Sequence, residues 1–207
     1  MTILFDYWRS SASYRVRIAL NLLGLPYEAV PVDLTKGEQV GAENLARNPQ
    51  GLVPTLAIDE LSLTQSLAII EYLNDTRGGL LPQDAPGRAR VRALSYAIAM
   101  EIAPICNLSV RTHVGKIGAP DFTADDWVEF YMAKGLKYFE KMLDYPTTGR
   151  FCHGDKVSMA DIILIPQVFN FERAGLPISQ FPRTAAISEQ LQSLPAVAAA
   201  HPDRVKP

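Results

Sequence analysis

Cysteine and histidine are scarce in this 207-residue chain, with two of the first and three of the second. Cys106 and Cys152 form no C-x-x-C pair and are too few for a disulfide framework. His113, His153 and His201 are scattered, so no metal-ligating spacing emerges and no metal is expected. An excess of charge is lacking as well. Twenty Lys and Arg stand against 22 Asp and Glu, a net charge of −2 without any basic run. That balance excludes a strongly basic nucleic-acid binder. No apolar stretch reaches membrane-spanning length, and residues 1–10 lack the basic, then apolar, layout of a secretory signal. No G-x-S-x-G elbow marks a hydrolase nucleophile, and no repeat or low-complexity tract is present. What remains is 48% hydrophobic and 20% charged, the composition of a globular protein expected to be soluble and cytoplasmic.

The chain changes character partway along. Residues 2–7 are short, apolar and β-prone, and after a polar bend Val16, Ala19, Leu20 and Leu23 recur at helical spacing. Gly24 stands where a left-handed residue would end that helix. A second strand is expected over 27–32 and a short helix over 43–47, stopped by Asn48-Pro49. Residues 55–58 and 61–63 flank a tight Asp59-Glu60 bend, a hairpin signal. A further helix opens at Gln65. The order is β-α-β-α-β-β-α. Beyond a Gly/Pro-rich stretch over 78–87, strand signals vanish. Helices are expected over 88–105, disturbed at Pro104, and over about 123–143, where Trp127, Phe130, Leu136, Phe139 and Leu143 share a stripe. Ser158 and Asp161 have the spacing of a capping box before an apolar run, the expected centre of a second unit. Two domains follow, 1–80 and 87–207.

Three constellations can carry chemistry. In Arg9-Ser10-Ser11-Ala12-Ser13-Tyr14-Arg15, hydroxyls crowd the junction of a strand with a helix N-terminus, where free N–H groups favour an anion. Simple N-capping by one serine explains the same residues, and both readings stand. Val53-Pro54 is either a strand-starting proline or a cis bond that turns the Val53 backbone outward toward a peptide-like ligand. Thr64-Gln65-Ser66 opens a helix, as a cap or as a carboxylate acceptor.

In this order, the Ser10–Leu20 block, Asn48-Pro49 with Val53-Pro54-Thr55-Leu56, and Gln65-Ser66-Leu67-Ala68-Ile69-Ile70-Glu71-Tyr72-Leu73 closely resemble the zeta class of glutathione transferases. The likeness continues through Leu81-Pro82-Gln83-Asp84, Asn107-Leu108-Ser109-Val110 and Pro166-Gln167-Val168-Phe169-Asn170, covering nearly the whole chain. It implies an α/β thioredoxin-like N-terminal domain, an all-helical C-terminal domain, a homodimer, and glutathione as cofactor. By match to the motif, Ser10 looks like the residue that activates the glutathione sulfur, with Ser11 as the alternative. Ser11, Ala12, Ser13, Tyr14 and Arg15 would line the same turn. Gln39, Val53, Gln65, Ser66, Asn107, Leu108 and Ser109 resemble further glutathione contacts. Arg9 and Arg173, with Arg111 also in reach of the motif, are candidates to hold substrate carboxylates. Ala12 stands where the class has cysteine, Tyr14 where it has tryptophan, and Ala103 where it has a polar residue. The implied activity is glutathione-dependent cis–trans isomerisation of maleylacetoacetate or a close analogue. General conjugation of electrophiles such as α-haloacids, and a non-catalytic glutathione- or partner-binding module, are the alternatives.

Overall fold

In a computed structural model, which describes residues 1–118 and 121–207, the first strand is β1 (Ile3–Asp6), followed by α1 (Ser11–Leu22) and β2 (Glu28–Pro31). A 3-10 turn over Glu38–Val40 leads to α2 (Ala42–Arg47), β3 (Thr55–Ile58), β4 (Leu61–Thr64) and α3 (Ser66–Arg77). The sheet order is β2-β1-β3-β4, with β1 and β2 parallel and the other pairs antiparallel. Asp59 and Glu60 close the β3–β4 hairpin, both at positive φ (51° and 66°), as a two-residue turn matching the strand twist requires. Leu4 and Leu56 pair across β1 and β3 and are fully buried with Val16, Ile18, Leu20, Ile69, Ile70 and Leu73 from α1 and α3. Gly24, at φ 64°, ends α1 as the sequence implies.

One ion pair sits inside this unit. Arg17 Nη1 donates to both oxygens of Asp6 at 2.7 Å, Nη2 to the Trp8 carbonyl at 2.9 Å and Nε to the Ala200 carbonyl at 3.1 Å. A buried charge is tolerated when each of its nitrogens finds an acceptor in this way.

The helical unit contains α4 (Ala85–Ala99), α5 (Leu108–Ile117), α6 (Ala124–Met142), α7 (Met159–Arg173) and α8 (Pro182–Gln192). The Asp84 carboxylate caps α4 by accepting the Gly87 N–H at 2.7 Å. The helix expected over 88–105 stops at Met100, because Pro104 has no N–H for the Met100 carbonyl. The Ser158–Asp161 box forms in full: Asp161 accepts the Ser158 N–H and hydroxyl, both at 2.8 Å, and the Cys152 N–H at 2.8 Å. Behind it, Met159 through Val168 are all buried. No described helix is long and apolar enough to cross a membrane.

The chain's compact units are Met1–Leu80 together with Ser193–Pro207, and Leu81–Gln192. Residues 193–207 therefore depart from the simple 1–80 and 87–207 division. They form α9 (Pro195–Ala199), which packs on α1, and α10 (Pro202–Val205), which packs on α9. Polar anchors hold them there: Asn21 Nδ2 donates to the Ala196 carbonyl at 3.0 Å, and Arg17 reaches Ala200.

Candidate active site

Ser10 closes a tight turn in which its N–H donates to the Tyr7 carbonyl at 2.9 Å, leaving Trp8 and Arg9 at the middle positions. Its backbone is extended (φ −68°, ψ 123°) and it is the N-cap of α1. Ser10 Oγ accepts the Ser13 N–H at 3.3 Å, and the Ser10 carbonyl accepts the Tyr14 N–H at 2.8 Å. Capping uses the oxygen and leaves the hydroxyl proton to donate elsewhere. The two readings of this serine are thus compatible. The N–H groups of Ser11 and Ala12 have no hydrogen-bond partner among the described residues, and both side chains are half-buried. Two free donors and a hydroxyl at the start of a three-turn helix make a site for an anion.

Ser13 and Tyr14 lie beneath that surface. Ser13 is fully buried, its Oγ accepting the Tyr7 N–H at 3.5 Å. Tyr14 is 2% exposed, its ring edge-on to His201 at 6.1 Å, and burial pushes its phenol up to about 12. Both side chains build the turn from below.

Arg15 is the least ordinary of the candidates. It is 4% exposed, and its only hydrogen bond among the described residues is Nη1 to Ser66 Oγ at 3.4 Å. Nε and Nη2 are buried without a partner, and burial lowers its ionisation to about 10. It stays charged at neutral pH. A buried guanidinium with idle donors is costly unless an anion completes it.

Val53 and Pro54 are joined by a cis peptide bond, and Val53 packs with Tyr7, Val32 and the half-buried Trp8 and Leu34. No hydrogen bond engages the Val53 backbone among the described residues. Gln65 precedes α3 at φ 67°, a left-handed conformation rare outside glycine, and its Nε2 donates to Gln50 Oε1 at 2.7 Å. Gln50 was not among the sequence candidates. The only signal for it is a polar residue placed between Pro49 and Gly51. Gln39 also has an idle group, since its Oε1 is buried without a partner. Arg15, Ser66, Gln65 and Gln50 thus form a linked polar set in the first unit, and the idle groups of Arg15 and Gln39 fit a ligand with both carboxylate and amide functions.

The remaining candidates belong to the helical unit. Asn107 caps α5, its Oδ1 accepting the Ser109 N–H at 2.8 Å and hydroxyl at 2.9 Å, while Leu108 is exposed. Ala103 is half-buried and Arg173 stands exposed in the last turn of α7. Arg111 pairs with Asp125, so its charge already has a partner. Both cysteines are held in the unreactive thiol form: burial raises Cys106 to about 11 and lifts the Cys152 thiol well above its ordinary value. Among the described residues, no three His, Cys, Asp or Glu side chains gather as a metal site would require.

Comparison with known proteins draws these observations together. Residues 1–75 match the profile of the glutathione S-transferase N-terminal domain, and residues 118–200 that of the C-terminal domain. A maleylacetoacetate isomerase of Rhizobium meliloti is 55% identical over all of this chain and 98% of its own. A bacterial maleylpyruvate isomerase, described as a zeta-class glutathione S-transferase in its holo form, superposes with a TM-score of 0.94. It is 36% identical and the match covers 99% of this chain and 98% of that one. The maleylacetoacetate isomerase of Methylobacterium extorquens AM1, solved with bound malonate and glutathione, superposes with a TM-score of 0.93 at 42% identity, covering 98% and 97% of the two chains.

Proposed function

The chain belongs to the glutathione S-transferase family, alongside the maleylacetoacetate isomerases of its zeta class, and from that premise we propose that it catalyses glutathione-dependent cis–trans isomerisation of maleylacetoacetate or a close analogue. The observation that carries the reading is the α1 turn: Ser10 with a proton to give, two free N–H groups, and a buried Arg15 whose Nε and Nη2 are idle. When bound there, glutathione supplies a thiolate able to add reversibly to a conjugated double bond.

The chain's own residues must make that thiolate available. A free thiol ionises near ~8.5, and lowering it to ~6.5 requires about 2.7 kcal/mol of preferential stabilisation. A helix N-terminus supplies ~0.3–1 kcal/mol and a hydrogen bond to a charged group about 1.5–3. The dipole alone falls short, so the Ser10 hydroxyl is the needed donor, with Ser11 and its N–H beside it. Arg15 balances the negative charge of the ligand from below, directly or through Ser66. Gln65, Ser66 and the Val53 backbone hold the peptide-like part, with Gln39 completing it, and Asn107, Leu108 and Ser109 match a further ligand-contacting segment of the family. Arg9 and Arg173 anchor substrate carboxylates. Arg111, paired with Asp125, is a further candidate. The malonate held by the Methylobacterium relative supports a site that accepts dicarboxylates. A cytoplasmic homodimer accompanies this reading, and light scattering on the purified protein tests the assembly.

The deciding assay follows the cis diacid and free glutathione together. Isomerisation consumes the cis isomer at constant glutathione. Loss of glutathione with haloacid turnover, and no isomerisation of maleylacetoacetate or maleylpyruvate, assigns the chain to conjugation instead.

A further inference from the structure

Two cations converge on one indole at the edge of the Ser10 turn. The Arg9 guanidinium carbon is 5.7 Å from the centroid of the Trp8 ring, and the Lys206 Nζ is 5.2 Å from the same centroid. Neither finds a carboxylate partner among the described residues. Like charges repel, and an exposed surface ordinarily lets two such side chains spread apart into water.

The backbone on both sides is fixed. The Trp8 carbonyl is held by Arg17 Nη2 at 2.9 Å, and the Trp8 ring packs on the cluster that contains Val53. On the other side, the Lys206 N–H donates to the Pro202 carbonyl at 3.0 Å, closing α10. That helix is capped in turn by His201, whose Nδ1 accepts the Asp203 N–H at 3.2 Å and whose ring meets Tyr14. Lys206 is therefore carried to Trp8 by a folded segment. Trp8 thus packs on the cluster that contains the expected glutathione contact Val53 and has two positive charges within 6 Å of its ring. Arg9 directly precedes Ser10, which places these charges beside the sulfur site.

We propose that Lys206 acts with Arg9, across Trp8, as a carboxylate clamp that favours dianionic electrophiles at the Ser10 site. This rests on the glutathione-binding reading above, and it makes Lys206 a specificity-determining residue for which the sequence gives no signal. The ammonium contributes as a point charge, adding to the bidentate pairing available from Arg9.

The test separates the clamp from the isomerase reading by using binding alone. Calorimetry gives the Kd of glutathione and of S-(1,2-dicarboxyethyl)glutathione for the full-length protein and for Lys206→Gln, Lys206→Glu and Lys206→Arg. The expected preference of the wild type for the dicarboxyethyl conjugate falls roughly 3- to 10-fold in Lys206→Gln, between the effect of an exposed ion pair and that of a charge-assisted bond. It falls further in Lys206→Glu and is largely restored in Lys206→Arg. Raising the salt concentration erodes the preference in the wild type more than in Lys206→Gln. Glutathione itself binds all four proteins alike. A wild type without the preference, or a Lys206→Gln protein that keeps it, overturns the clamp. A wild type that shows the preference yet fails to isomerise diacids overturns only the isomerase reading.

Discussion

At Ser10 the hydroxyl oxygen accepts the Ser13 N–H while its proton remains to donate, so substitutions there change two properties that can be measured apart. Ser10→Ala removes both. The expected loss is about 10- to 150-fold in kcat, from one hydrogen bond to a charged sulfur, with glutathione affinity largely retained. A stability loss of about 1 kcal/mol accompanies it from the missing cap. Ser10→Asp keeps an acceptor for Ser13 but has no proton to give. It is expected to recover the stability by denaturant titration while remaining inactive. Ser11→Ala is expected to be milder in kcat, and the reverse ranking moves the donor role one residue along the turn. The serines were legible as candidates because hydroxyls at a strand–helix junction have few uses. Arg15 could be named from its resemblance to the class, but its idle nitrogens could not, since partner geometry depends on Ser66, fifty-one residues away.

Among elements, the β-α-β-α-β-β-α order and the Ser158 capping box were legible because short-range chemistry decides them: alternation, turn residues and caps. The helix expected over 88–105 was too long, since Pro104 ends it earlier than apolar spacing suggests. The helix Leu108–Ile117 gave little signal, and Val114 is its sole buried residue. Where two elements meet, sequence is still less informative. Gly135 in α6 lies against Ile102, and a Cβ built there falls well inside contact distance of the Ile102 side chain. In an exposed helix, Gly→Ala stabilises by about 1 kcal/mol. Here overpacking is expected to reverse the sign, with Gly135→Ala losing roughly 1–3 kcal/mol in urea unfolding. Ile102→Val in the same chain is expected to recover part of it, and a stabilised Gly135→Ala protein shows that the contact yields freely.

For the molecule as a whole, burial sets how stability responds to alkali. Cys106 ionises near about 11 when folded against an ordinary value of 9.0. Between those limits the unfolded chain has released a proton that the folded one retains, so stability falls as pH rises from about 9 toward 11. The Cys106 share is expected to be about 1–2 kcal/mol. Comparing urea unfolding at pH 8 and 10.5, Cys106→Ala should show a shallower decline than the wild type, and equal slopes refute this share. Tyr14, raised to about 12, extends the same trend to higher pH. The return of residues 193–207 to the first unit also has a consequence in time. As the ribosome makes the chain, the sheet and α1 emerge early, but α9, which covers α1, and the Ala200 carbonyl that Arg17 uses come last. The roughly 110 intervening residues of the helical unit take on the order of 6–22 s to synthesise at ~5–20 residues per second. During that interval the nascent first unit waits incomplete, with one face of α1 uncovered, while the helical unit can fold ahead of it.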